Sequence, residues 1–173
     1  MTPEEPEDYQ EAIRRIKKAE ENKSTELDLS GLQYLIRFPP ELASLTSLQS
    51  LNLAGCTQLS GDLASLASLT SLQSLDLSDC KQLRGDLPSP AGLTLLQSLN
   101  LSGCTGIRQF TSLEPLLARL KELYLYRCRF DDFHPRFTDN SGDKTSSAKS
   151  ARYFTGRVER RLFLRLPRSV RPS

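Results

Sequence analysis

Residues 27–122 repeat with a period of 24 residues, without insertion or deletion. Four full copies cover residues 27–50, 51–74, 75–98 and 99–122, and a fifth begins at Leu123. The aligned copies share the pattern LxLxx[C/L]xx[L/I], which is followed by further spaced Leu. One copy is too short to enclose a core, so the copies must bury their apolar side chains against one another. This period therefore limits the chain to folds built by stacking identical units.

Each copy predicts one short strand and one helical turn. Two Leu separated by one residue, such as Leu51 and Leu53, follow the two-residue period of a β-strand and face one side. Later Leu at three-residue spacing, such as Leu69 and Leu72, suit a 3₁₀ or irregular helical turn. Copies stacked about 4.8 Å apart would form a parallel sheet over a shared Leu core. At least three copies are needed for stability, and this chain exceeds that number.

These columns resemble leucine-rich repeats, in the 24-residue form that carries Cys where many members have Asn. The resemblance covers residues 27–133. It implies an α/β fold: a right-handed leucine-rich-repeat solenoid with a parallel sheet on its concave face and an N-terminal cap helix. It also implies a non-enzymatic, monomeric module that binds another protein through the concave face.

The segment before the repeats, residues 1–26, is expected to form an N-terminal helical cap. Its first residues, TPEEP, offer the chemistry of a helix start. Helical spacing places four apolar residues on one face: Ala12, Ile13, Ile16 and Ala19. We therefore predict a helix over about residues 4–22 that covers the open end of the Leu core.

A narrower resemblance extends to the N-terminal repeat domain of bacterial Roco-type proteins, in which repeats precede a Ras-like GTPase domain. It rests on EAIRRIKKAEENKSTELDLSGL, on the repeats and on LKELYLYRCRFDDF. The sequence has no GxxxxGK[ST] motif, because Gly142-Asp-Lys-Thr lacks both the spacing and the Gly before Lys. We therefore do not infer nucleotide binding from this resemblance. One alternative function is that of a truncated regulatory part of a Roco-type signalling GTPase.

Charge divides the chain near Thr138. Residues 1–137 carry 14 Lys and Arg against 18 Asp and Glu, a net of −4, whereas residues 138–173 carry 9 against 3, a net of +6. We therefore predict repeats over residues 27–137 and a basic, disordered tail over residues 138–173. Arg residues interleaved with aromatics in that tail give a second alternative, which is binding to nucleic acid or a membrane surface.

The sequence shows no apolar segment long enough to span a bilayer and no signal-peptide pattern at its first residues. We therefore expect a cytoplasmic protein with reduced thiols, and export without a signal peptide is the alternative. His134 is the single His, and the motif DDFH that contains it is too sparse to define a site. Ser-His-Asp and Cys-His mechanisms would both depend on this residue. We predict no catalytic residue, cofactor or metal.

All four Cys occupy one column of the repeat: Cys56, Cys80, Cys104 and Cys128. Neighbouring strands would bring their Cα atoms within disulfide range, but parallel side chains in one core rarely meet the torsion requirement. A tetrahedral zinc site needs converging ligands, whereas a column places them along a line. We favour a third interpretation, in which each thiol packs as a small apolar group and bonds weakly to loop backbone.

The concave face should present the residues between and beside the core Leu. One row is Asp28, Asn52, Asp76, Asn100 and Tyr124; the next is Ser30, Ala54, Ser78, Ser102 and Tyr126; they are flanked by Gln49, Gln73, Gln97 and Lys121. Tyr and Arg are the residue types that supply interface hot spots. We predict that a partner protein contacts Tyr124, Tyr126 and Arg127, with Asn100, Asp76 and Asn52 along the face. The alternative, given equal weight, is that the two Tyr have no binding function and simply cover the exposed end of the core.

Overall fold

The computed structural model of the chain describes residues 6–61, 63–84, 93–107 and 119–129, together with residues 153–154 and 157–159. Its α-helix is α1 (Glu7–Glu21), and its 3₁₀ helices are η1 (Pro40–Ser44) and η2 (Leu63–Leu66). Its strands are β1 (Glu26–Asp28), β2 (Ser50–Asn52), β3 (Ser74–Asp76), β4 (Ser98–Asn100), β5 (Glu122–Tyr124), β6 (Cys128–Arg129), β7 (Tyr153–Phe154) and β8 (Arg157–Glu159). No helix in these ranges is long and apolar enough to cross a lipid bilayer.

The repeats form one sheet with a single strand from each. Strands β1 to β5 lie in chain order and pair in parallel, and every paired residue lies 24 positions from its partner, as in Leu51 with Leu75. Each strand begins one residue before the Leu-x-Leu motif. The predicted solenoid with a parallel sheet and an N-terminal helix is therefore confirmed.

The core is a continuous stack of aliphatic side chains behind the sheet. Both Leu of each Leu-x-Leu motif are buried, as are the described members of the two later columns: Leu45, Leu69, Leu93, Leu48, Leu72, Leu96 and Leu120. No polar or charged residue is buried within the described ranges. The first two repeats contain the 3₁₀ helices η1 and η2, but these end just before the Leu columns expected to form them, and Leu69 and Leu72 lie at turns instead. Every repeat therefore adds one layer to the same apolar interior.

Helix α1 covers the first layer of the core, as predicted, but it starts later than expected, after Pro6. Ala12, Ile16 and Ala19 are buried in the core and Ile13 packs against it. Tyr9 is also buried, although the sequence pattern missed it, and the Arg37 guanidinium lies 4.8 Å from its ring centroid. The Asp8 carboxylate accepts a hydrogen bond from the Tyr34 N–H at 2.7 Å. The helix is thus tied to the first repeat by polar as well as apolar contacts.

Two short strands lie in the tail that we expected to be disordered. β8 pairs antiparallel with β5, with Leu123 opposite Val158 and Tyr124 opposite Arg157. β7 pairs antiparallel with β6. The edge of β5 is therefore hydrogen-bonded to another segment of the same chain. An exposed strand edge would be open to unwanted pairing with other chains. His134 and the remainder of the tail lie outside the described residues.

The variant Leu77→Ala tests the shared core, because Leu77 is completely buried in the third repeat. Its loss leaves a cavity and should lower the free energy of unfolding by about 2–5 kcal/mol, measured by urea denaturation followed by circular dichroism. Leu95→Ala is the matched control, because Leu95 is 52% exposed, and its change should stay within about 0.5 kcal/mol. Equal losses in the two variants would contradict the shared interior.

Candidate functional site

The outer face of the sheet, here called the sheet face, consists of the residues on either side of the buried Leu in each strand. Its middle is made of small polar side chains: Ser50, Asn52, Ser74, Asp76, Ser98 and Asn100, all half-buried. The Ser column was not predicted from the sequence, from which we expected Gln49 and its equivalents instead. Those Gln lie at the strand entrance, where the Gln73 N–H donates to the Gln49 carbonyl at 2.8 Å. The two-residue alternation, extended one step back from the first Leu, would have found the Ser column.

The row of Asp and Asn on the sheet face ties down the turns that follow the strands. Asp28, Asn52, Asp76 and Asn100 each accept a hydrogen bond from the N–H two residues further on, at 2.8 to 3.0 Å. The bond from Ser30 holds the pKa of Asp28 below its ordinary value. Three of the predicted contact residues, Asn52, Asp76 and Asn100, thus already have a structural function as Asx turns.

Two of these side chains also join neighbouring repeats. Asn100 Nδ2 donates to Asp76 Oδ2 at 3.1 Å, which uses the second carboxylate oxygen of Asp76. The row ends at the fifth repeat, where Tyr124 replaces the Asx residue. The Tyr124 hydroxyl donates to Glu122 Oε2 at 3.4 Å, and the Ser98 hydroxyl reaches the same oxygen at 3.4 Å. The last repeat therefore departs chemically from the others at this position.

A left-handed backbone conformation recurs three residues after each strand. Gly31, Gly55 and Gly103 each have φ of 76°, while Asp79 and Arg127 occupy the same column with φ of 60° and 58°. In the first four of these residues the N–H donates to a carbonyl of the next repeat, as in the 2.8 Å bond from Gly55 to the Ser78 carbonyl. Positive φ suits Gly and is tolerated by Asp, but it carries a steric cost for other residues with a Cβ, such as Arg. Arg127 therefore sits where the repeat geometry favours Gly.

Tyr126 and Arg127 form an exposed pair beside this strained turn. Tyr126 is 51% exposed, and the Arg127 guanidinium carbon lies 5.3 Å from its ring centroid, within cation–π range. The structure thus groups Tyr124, Tyr126 and Arg127 at the last repeat. Asn52, Asp76 and Asn100 lie in one row across β2 to β4, in register with Tyr124 on β5.

The four thiols form a second row, inside the core. Each donates to a main-chain carbonyl 27 residues earlier, at 3.3, 3.2, 3.0 and 2.9 Å for Cys56, Cys80, Cys104 and Cys128. All four are buried and unpaired. This confirms the favoured interpretation, in which the thiol fills a small apolar site and bonds weakly to backbone. Each bond also links one repeat to the next.

Burial keeps the thiols protonated. It raises the pKa of Cys56 to about 11 and those of Cys80 and Cys128 to about 12, and it raises the pKa of Cys104 as well. A thiol is nucleophilic and ligates metals only as the thiolate, which these pKa values suppress at neutral pH. Within the ranges that the structure describes, no group of His, Cys, Asp and Glu could hold a metal ion.

The raised thiol pKa values make the stability of the fold depend on pH. Thiols in an unfolded chain ionise near the ordinary value of 9.0, below the folded values of about 11 to 12. As pH rises through this window the unfolded chain loses protons first, so the free energy of unfolding falls. Urea denaturation at pH 7.5 and pH 10 should show a larger loss for the wild type than for Cys80→Ala. An equal loss in both proteins would contradict this assignment.

The strained turn predicts an unusual order of stability among variants at position 127. Both Arg127→Gly and Arg127→Ala remove the contact with Tyr126, but only Gly adopts positive φ without steric cost. The Gly variant should therefore have a free energy of unfolding about 1 kcal/mol higher than the Ala variant. Thermal unfolding measures this difference. At Gln58, an exposed residue outside the positive-φ column, the same two substitutions should not favour Gly, and a Gly advantage at both sites would contradict the explanation.

Comparisons with known proteins agree with this architecture. Residues 70–117 match the family model described as Leucine Rich repeats (2 copies). Internalin C2 from Listeria monocytogenes strain 4b F2365, a solved structure, aligns with a TM-score of 0.50 and 21% identity. That alignment covers 70% of this chain and 66% of internalin C2, just under two thirds of its length. A search of curated proteins gave no significant match. The family model and the shared fold identify leucine-rich repeats stacked as a solenoid, without extending the resemblance to Roco-type proteins.

Proposed function

We propose that this protein is a non-enzymatic module that binds another protein through its sheet face, with the contact centred on Tyr124, Tyr126 and Arg127. The observation that carries the proposal is the exposed pair of Tyr126 and Arg127 at one end of a polar sheet face. Aromatic and Arg side chains contribute most to binding at interfaces, and small polar neighbours let a partner approach them closely.

The burial pattern argues against the alternative that the two Tyr only cover the end of the core. In the last repeat Leu123 and Leu125 are buried, while Tyr124 between them is half-buried and Tyr126 is exposed. The Tyr side chains thus alternate with the core side chains and stand on the outer side of the sheet. The edge of β5 is paired with β8. Tyr126, which is 51% exposed, therefore remains accessible to a partner.

Asn52, Asp76 and Asn100 are proposed as the floor of the interface rather than its energetic centre. Their oxygens already accept main-chain hydrogen bonds, so a partner would gain less from each of them. Removing them would also free the N–H groups that they satisfy, which costs stability. A loss of binding on mutating this row would therefore be hard to interpret, and the last repeat gives the better test.

The chemistry of the described residues supports a role without catalysis. The thiols are buried and protonated, and the Asp76 carboxylate is engaged by Ser78 and Asn100. Such groups do not form a nucleophile with an adjacent base. We further propose that the protein acts as a monomer in the cytoplasm, since unpaired thiols suit a reducing compartment. The Roco-type and nucleic-acid or membrane-binding alternatives stay predictions of the sequence.

Affinity measurements on single variants test the proposal. A partner recovered by the immobilised protein from a lysate of its source cells would be purified and titrated against each variant. Tyr126→Ala and Arg127→Gly should each weaken binding about tenfold or more, as expected of hot-spot residues. Arg127→Gly removes the side chain without adding backbone strain. Circular dichroism checks that both variants are folded.

Tyr34→Ala is the matched control. Tyr34 is 62% exposed but lies in the loop after β1, outside the sheet face, so its replacement should leave the affinity unchanged. The proposal would be contradicted by unchanged binding of the Tyr126 and Arg127 variants, or by an equal loss in Tyr34→Ala. Failure of the wild type to retain any protein above a blank surface would contradict it as well.

A further inference from the structure

The Arg127 side chain is exposed and has no acidic partner in the part of the chain that the structure describes. The helix offers a contrast, since both Arg14 and Arg15 pair there with Glu11. The recorded contact of Arg127 is with the Tyr126 ring, at 5.3 Å. Contact with a ring orients the guanidinium but leaves N–H donors free, and a guanidinium presents five of them in a planar fork.

The backbone at Arg127 gives an independent reason to assign it a function. Its φ of 58° falls in the column where Gly31, Gly55 and Gly103 lie. Residues held in left-handed conformations despite a bulky side chain concentrate at ligand-binding sites. Among the described residues of this column, Arg127 is the one that presents a cation to solvent. A Gly would fit the turn better, so the packing of the repeat does not explain the side chain.

Charge along the stack is polarised. Acidic residues lie on the sheet face or its turns at β1, as Glu26 and Asp28, and at β3, as Asp76 and Asp79. Lys121 and Arg127 lie immediately before and after β5, and both are exposed. The carboxylate of this strand, Glu122, accepts hydrogen bonds from the Ser98 and Tyr124 hydroxyls. An anionic group on a partner is therefore disfavoured beside β1 and β3 and attracted at the last repeat.

From this arrangement we infer that Tyr126 and Arg127 form a carboxylate-binding site, which takes an Asp or Glu side chain from a segment of the partner protein. Arg127 donates two parallel N–H bonds to the carboxylate, the geometry that favours Arg over Lys. Tyr126 holds the guanidinium in place. The inference rests on the proposed function and names the chemistry of the partner at the same site.

A library of random 12-residue peptides displayed on phage provides the probe. Peptides selected on the wild-type protein should be enriched in Asp and Glu at one position. A synthetic copy of a selected peptide should bind about tenfold more weakly when that residue is changed to Asn or Gln. On Arg127→Gln the acidic and amide peptides should bind equally. Arg127→Lys, which keeps the charge without the fork, should recover only part of the preference.

Arg84→Gln is the matched control, since Arg84 is an exposed Arg in the third repeat and its loss should leave the preference intact. The carboxylate site is overturned if the selected peptides lose binding on Tyr126→Ala yet show no acidic preference, or if Arg127→Gln keeps that preference. In that case the proposed function stands. If the wild type selects no peptide, or only peptides insensitive to Tyr126→Ala, the sheet face itself fails as a binding surface and both proposals fall.

Discussion

Backbone hydrogen bonds between neighbouring strands hold equivalent residues of successive repeats side by side. Because the register never slips from 24 residues, each column of the sequence becomes a straight row across the molecule. The Leu rows give the common interior, and no single repeat could bury them alone. The other rows, whether of Asx residues, thiols or left-handed turns, depend on this same register.

The rows of Asx residues and thiols provide hydrogen-bond partners for backbone groups outside the regular strands. Because the strands are only three residues long, much of the described backbone of the repeats lies in turns and loops, and its buried N–H and C=O groups need partners. Side-chain oxygens of Asp and Asn satisfy turn N–H groups, and thiols satisfy loop carbonyls in the preceding repeat. The last repeat follows the thiol and turn rows but not the Asx row. Its Tyr124 and Arg127 are departures that the packing of the repeat does not require.

Much of the fold could be predicted because its information is local and repeated. The alternation of Leu predicted the strands to within one residue, whereas the 3₁₀ helices η1 and η2 lie just before the later Leu that were expected to form them. The packing of the Cys column in the core was also predicted, because a small thiol repeated at one position suits a buried layer. The burial of Tyr9 was not predictable, because it depends on how α1 crosses the first layer. Nor does any periodic signal indicate that β8 pairs with β5.

For the candidate site, too, some features could be predicted from the sequence and others could not. By itself, the sequence determined the stacked architecture, the buried face of each strand and the odd composition of the last repeat, because periodic apolar residues admit one solution. Only the tertiary structure decided that Asn52, Asp76 and Asn100 are engaged in turns, that Arg127 occupies a left-handed turn and that its guanidinium lies over Tyr126. Hydrogen-bond partners and backbone dihedrals are set by neighbours in space, and the aligned residues of the repeats do not specify them.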